Sequence, residues 1–265
     1  MKWLWILSAA VFVLYLAGGL MLVLNQRNLL YFPTPAIVHG LPIEFFEHAG
    51  ERISVIVVNP GRARPGRARP DRDRAVLYFG GNGESAAQTA LQFQSMEMDA
   101  SFYFVNYRGY GGSTGTPSES ALFEDARFIY ESLAARHDDI AVMGRSLGSG
   151  VAVMLASEYK PSHLILVSPF DSIVNVAAAR FPIYPIHWLI QDRYDSIQRA
   201  TGVSAPTSVI MAETDRVVPR VHTLALFDAL VPERLISVIL DGSNHNNVSR
   251  HPLYLEAVRD HLEKF

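Results

Sequence analysis

Ser146, Asp215 and His245 occur in an order and in surroundings that could make a nucleophile. A serine hydroxyl attacks a carbonyl poorly until a histidine takes its proton and a carboxylate orients the imidazole. Ser146 lies in Gly144-Arg145-Ser146-Leu147-Gly148, between the apolar run Ile140-Ala141-Val142-Met143 and the small-residue run Val151-Ala152-Val153-Met154-Leu155-Ala156. That pattern reads as strand, sharp turn and helix, with the serine at the apex. Side chains flanking such an apex would strike the strand or helix backbone, and the two glycines remove that collision. The bare pattern also occurs in ordinary Gly/Ser turns, so the rest of the chain decides its meaning.

Downstream, Ser208-Val209-Ile210-Met211 runs into Ala212-Glu213-Thr214-Asp215, and the strand ending at Leu240 runs into Asp241-Gly242-Ser243-Asn244-His245. The acid and the base thus fall on loops at the C-terminal ends of strands, where open parallel sheets bind ligands. Glu213, Asp241 and Asp171 compete for the acid role, Asp171 from the earlier segment Val167-Ser168-Pro169-Phe170-Asp171. Asp215 has the better-placed loop. Of the nine histidines, His245 is the one that directly follows the last strand in a polar loop. An oxyanion hole would combine the N–H of Leu147 with one from Phe79-Gly80-Gly81-Asn82-Gly83. Asn82 is the preferred donor and Gly81 the alternative. A phosphate-cradling reading of that loop fails, because no Gly-Lys-Ser/Thr follows it.

The elements that must position these groups alternate along the chain. Two strands at 43–46 and 53–58, joined by the turn His48-Ala49-Gly50-Glu51, precede strands at 76–79, 102–105, 140–143, 164–167, 208–211 and 235–240. Helices are expected at 85–98, after Ser146 and at 253–264. Another should run to about Arg136 from Thr116-Pro117-Ser118-Glu119, which has the form of a capping box with proline at the first helical position. This alternation predicts an α/β-hydrolase fold, a mostly parallel sheet with helices on both faces. Between 61 and 74 a repeat, Gly61-Arg62-Ala63-Arg64-Pro65 then Gly66-Arg67-Ala68-Arg69-Pro70, gives six arginines against two aspartates and reads as a solvated loop.

Net charge is −3 with 18% charged residues, so nucleic acid is not an expected partner. The absence of cysteine excludes disulfides, thiolate metal sites and cysteine nucleophiles, and no cofactor or metal is expected. Residues 3–24 carry no charged side chain, with Lys2 before them, Arg27 after them, and Trp3 and Trp5 at one end. About twenty such residues span a bilayer, and the run exceeds a usual signal-peptide core. A membrane anchor over 1–26 is expected, ahead of a catalytic domain over 27–265. The anchor supplies none of the three candidate groups, so the domain should be separable from it. The positive charge at the amino end favours a catalytic domain outside the cytoplasm. The aromatic, proline-punctuated segment 175–200 reads as a small apolar cap suited to an acyl chain, the alternative being a proline-interrupted core helix. Substrate is expected to meet Gly81, Phe170, Tyr184 and Trp188.

Tyr107-Arg108-Gly109-Tyr110-Gly111-Gly112-Ser113, with Gly115-Thr116-Pro117-Ser118-Glu119, resembles the segment after the oxyanion loop in the Bem46-like α/β-hydrolases. Those include the membrane-anchored α/β-hydrolase domain-containing proteins 12, 13 and 17. The elbow around Ser146, Ser168-Pro169-Phe170-Asp171-Ser172, Asp215-Arg216-Val217-Val218-Pro219 and Gly242-Ser243-Asn244-His245-Asn246 are similar to that family's other blocks. Two departures stand out: Gly80-Gly81-Asn82 where the family often has His-Gly-Asn, and Asn106 where aspartate is frequent. The resemblance implies serine-hydrolase chemistry on esters or thioesters, often of lipids or acylated proteins, at a bilayer. A prolyl-oligopeptidase-like peptidase and a non-catalytic anchored binding protein on the same fold are the alternatives.

Overall fold

The computed structural model describes residues 1–59, 74–96, 98–232 and 234–264. A long helix, α1 (Lys2–Leu30), leads into a hairpin of β1 (Ile43–His48) and β2 (Glu51–Val58). Ala49 and Gly50 at its tip have φ of 51° and 78°, the tight turn whose twist matches its strands. There follow β3 (Arg74–Phe79), α2 (Ala86–Phe93), β4 (Ala100–Val105), α3 (Glu119–Ala134), β5 (Asp139–Arg145), α4 (Leu147–Tyr159) and β6 (His163–Val167). Three short helices, α5 (Ile173–Arg180), α6 (Ile186–Leu189) and α7 (Ser196–Arg199), separate β6 from β7 (Thr207–Thr214). The chain continues through α8 (Arg220–Ala229), β8 (Leu235–Asn244) and α9 (Tyr254–Lys264).

The eight strands form one sheet in the order β1-β2-β4-β3-β5-β6-β7-β8. β1 and β2 run antiparallel to their neighbours, and every pairing from β4 to β8 is parallel. Strands covered on both faces need continuous apolar runs. β6, His-Leu-Ile-Leu-Val, is accordingly buried at every position. One face carries Leu77, Phe79, Val142 and Leu166 against α3, α4 and α8. The other carries Val76, Tyr78, Met143 and Ile165 against α2 and α9.

Several strands run longer than expected, β7 to Thr214 and β8 to Asn244 among them, and two helices have other limits. α2 stops at Phe93, and Gln94 and Ser95 turn back onto the carbonyls of Ala90 and Gln92. α3 is capped by Ser118, whose hydroxyl accepts the N–H of Ala121, and not by Thr116. The Glu119 carboxylate is engaged elsewhere, accepting the backbone N–H groups of Arg193 at 2.6 Å and Tyr194 at 2.9 Å. Of the arginine-rich segment, residues 61–73 lie outside the described residues. Arg74 belongs to β3 instead, paired with Asp139 at 2.7 Å.

α1 does not stand apart from the domain. Its half-buried positions, among them Tyr15, Gly18, Gly19, Leu22, Val23 and Gln26, recur at helical spacing and form one face. Tyr15 stacks on Tyr184 with ring centroids 4.9 Å apart, and Gln26 accepts the N–H of Gln191 at 2.7 Å. Below the helix, Arg27 pairs with buried Asp192 at 3.1 Å, which also accepts the Tyr31 hydroxyl. An apolar pocket of about 140 Å³ lies between α1 and the segment after β6.

His261 on α9 is buried beside the ring of His163, 5.5 Å away. Burial, reinforced by His163, pushes its pKa down to about 4. The unfolded chain therefore binds the extra proton between pH 6.5 and about 4, and the contribution of His261 to stability is lost as pH falls through that window. A loss of about 3 kcal/mol is expected from this group. Urea unfolding across the window should show it, and a slope unchanged in His261→Phe would refute the assignment.

Candidate active site

The backbone at Ser146 sits at φ 49° and ψ −117°, a strained conformation for a residue with a side chain. Three contacts hold it there. Its N–H donates to the Val167 carbonyl at 2.8 Å, and its own carbonyl accepts the N–H and hydroxyl of Ser149. A Cβ on Gly144 would lie 2.3 Å from the Gly148 carbonyl oxygen, and one on Gly148 would lie 2.1 Å from that of Phe79. Neither position can carry a side chain without moving strand against helix. Alanine at either is expected to abolish soluble expression of folded protein; normal yield and circular dichroism would contradict this.

His245 Nε2 lies 2.9 Å from Ser146 Oγ, and its Nδ1 lies 2.7 Å from Asp215 Oδ2. Ser146 and His245 are both buried. Burial raises the Asp215 pKa, but the hydrogen bond and charge of His245 and the N–H groups of Val218 and Val217 outweigh it and hold the carboxyl below its ordinary range. Asp171, the competing acid, is committed elsewhere. It accepts the N–H of Ser172 at 2.6 Å and the amide of Asn175 at 2.8 Å, and faces His222 Nδ1 at 3.1 Å. Glu213 accepts the N–H of Gly242, away from the imidazole.

The two candidate oxyanion donors in the loop after β3 are not equivalent. The N–H of Gly81 donates to Glu84 at 2.8 Å and is engaged. Asn82 is held by its side chain instead, whose Oδ1 accepts the N–H of Phe32 at 2.8 Å and the Tyr110 hydroxyl at 3.0 Å. The Tyr107 hydroxyl donates to the Gly80 carbonyl at 2.7 Å. The two tyrosines of the segment after β4 therefore brace this loop, a role its sequence did not disclose. Leu147 opens α4, so its N–H has no acceptor within the helix.

A second feature escaped the sequence reading. Arg145, inside the elbow, pairs with Glu84 at 2.6 Å and donates to the His245 carbonyl at 2.7 Å. Glu84 also accepts the hydroxyls of Tyr78 and Thr89, both at 2.6 Å. Burial raises the Glu84 pKa, yet the Arg145 charge and these hydrogen bonds leave it lowered. One guanidinium so ties the elbow, the loop after β3 and the histidine loop. The available signal was an arginine and a glutamate placed at two loops that must meet.

Ser146 and His245 open onto a pocket of about 470 Å³ shared with Gly81, Asn82, Gln88, Gln92 and Arg250. Its walls are mostly polar, and it differs from the substrate contacts expected from sequence. Of the four, Gly81 alone lines it. Phe170 is buried in the core, and Trp188 is 87% exposed on the outside. Tyr184 is turned onto Tyr15. In the aromatic segment Tyr184 and Ile186 face inward, Tyr184 onto Tyr15 of α1, while Ile183 and Trp188 are exposed, and among the described residues none of this segment lines the pocket.

A sheet of this topology, with an elbow after β5 and the acid and histidine after β7 and β8, defines an α/β-hydrolase. The chain is an α/β-hydrolase by fold, and its named relatives include α/β hydrolase domain-containing proteins. Residues 70–191 match the family described as serine aminopeptidase, S33. An uncharacterised protein of Mycobacterium tuberculosis (strain H37Rv) is 34% identical over 267 residues, covering 96% of this chain and 93% of the relative. The human α/β hydrolase domain-containing protein 17C is 30% identical over 169 residues, covering 62% of this chain and 50% of that relative. Among solved structures, a Pyrococcus furiosus esterase superimposes with a TM-score of 0.66 at 14% identity, covering 89% of this chain and 98% of the esterase; that likeness concerns the fold.

Proposed function

We propose that the protein is a membrane-anchored serine hydrolase that cleaves acyl esters or thioesters through an acyl-enzyme. The observation that carries this reading is the hydrogen-bonded chain from Ser146 through His245 to Asp215 at a strained elbow. Ser146 Oγ attacks the carbonyl carbon while His245 Nε2 takes its proton. Asp215 holds the other ring nitrogen protonated and stabilises the imidazolium. The N–H groups of Leu147 and Asn82 receive the developing oxyanion. Collapse expels the alcohol or thiol, protonated by His245. Water, activated by the same imidazole, then releases the acid and frees the serine. The polar pocket suits a headgroup or peptide portion of an acylated substrate better than a long chain.

α1 would supply the anchor, being apolar and long enough to cross a bilayer. An activity-based fluorophosphonate tests the chemistry directly. Labelling of the full-length protein, lost in Ser146→Ala, is the expected result. No labelling of the folded wild type would leave a binding protein on a hydrolase fold. A faster rate on aminoacyl amides than on matched esters would favour the peptidase that the family description suggests.

A further inference from the structure

Residues 3–24 form the uncharged part of α1, so a bilayer-spanning α1 carries Tyr15 well inside the apolar layer. At 1.5 Å per residue, Tyr15 lies about 13 Å along the helix from Leu24. Yet Tyr15 stacks on Tyr184, and its hydroxyl donates to the Ile183 carbonyl at 3.0 Å. Whatever surrounds this half of α1 also surrounds the segment touching it. The outer face of the same helical turns exposes Leu16, Leu20, Met21 and Leu24, a surface suited to lipid and not to water. Residues 181–190, Phe-Pro-Ile-Tyr-Pro-Ile-His-Trp-Leu-Ile, continue that surface with no Asp, Glu, Lys or Arg. Ile183 is 69% exposed and Trp188 87%.

Most carbonyls of this segment have partners within the protein, as a medium that offers few hydrogen bonds requires. Pro182 and Pro185 have no N–H to satisfy. The carbonyls of Phe181, Tyr184, Pro185 and Ile186 accept local N–H groups. Those of Ile183, His187 and Leu189 accept from the side chains of Tyr15, Arg193 and Gln26. Arg27, Arg180 and Arg193 flank the apolar stretch; Arg180 is exposed, and Arg27 and Arg193, paired with Asp192 and Asp195, are 48% and 40% exposed, the level at which phosphate groups would lie.

We propose that residues 181–190 enter the bilayer beside α1, so that the segment is a second membrane contact and not a solvent-facing lid. The proposal rests on α1 being a membrane span, and the test separates the two. Trp3, Trp5 and Trp188 are the only tryptophans, and the chain has no cysteine. In full-length protein reconstituted into phosphatidylcholine vesicles, Trp3→Phe/Trp5→Phe leaves Trp188 as sole emitter, and Trp188→Phe leaves the α1 pair. Lipid brominated along its acyl chains should quench Trp188 by more than about half, while aqueous iodide quenches it several-fold less than free tryptophan. Independently, a membrane-impermeant maleimide should label Ile183→Cys at least tenfold more slowly than Val231→Cys, an exposed position on the loop after α8. If brominated lipid quenches the α1 tryptophans but Trp188 is open to iodide and Ile183→Cys labels at the Val231→Cys rate, the segment lies in water and the proposal falls while the anchor stands. Quenching of neither set by brominated lipid would overturn both.

Discussion

Asp215→Asn is expected to lower turnover of a short, water-soluble ester by about four orders of magnitude while leaving the fold intact. The amide carries no charge to stabilise the imidazolium, and its NH2 can donate to His245 Nδ1, which favours the tautomer that leaves Nε2 protonated toward Ser146 and unable to take its proton. The hydrogen bond concerned is 2.7 Å long. Steady-state kinetics beside unchanged circular dichroism would establish the effect. Asp171→Asn is the control, because that carboxylate bonds Ser172, Asn175 and His222, and no atom of the nucleophile. It should perturb stability more than chemistry. Inactive Asp171→Asn beside near-wild-type Asp215→Asn would overturn the assignment of the acid.

Arg145→Met is expected to destabilise the domain by about 3–5 kcal/mol, because it leaves the Glu84 carboxylate buried without its cation. Both side chains are about one-tenth exposed and 2.6 Å apart. The expected effect extends to turnover, since Glu84 holds the Gly81 N–H and Arg145 holds the His245 carbonyl. Arg145→Met/Glu84→Gln should recover part of the lost stability, as the uncompensated charge is then gone. Single variants within about 0.5 kcal/mol of wild type in urea unfolding would refute a structural pair. The sign with pH follows from the lowered Glu84 pKa. Its stabilising contribution is present above the carboxylate's unfolded value of about 4.3 and is lost as pH falls through the lower folded one.

Much of this protein is local in the sequence. Apolar runs of four to six residues bounded by turn residues mark parallel strands because a strand buried on both faces tolerates little else. Gly144 and Gly148 identify an elbow because no other residue leaves room for that approach. The chain order of Ser146, Asp215 and His245 is likewise visible, since each follows its own strand. Other features depend on segments distant in sequence meeting in space. Whether Asp171 or Asp215 faces His245 depends on where two loops lie, and both are aspartates after strands. That the Gly81 N–H is engaged follows from a carboxylate three residues on that only the folded loop brings to it. Ser118 and not Thr116 caps α3, and Glu119 serves a loop more than seventy residues later in the chain, a partner that local sequence does not name. The aromatic segment within 175–200 reads as a small apolar cap from its composition alone. Composition records that a surface is apolar but not what covers it, and only the tertiary structure set that surface against α1.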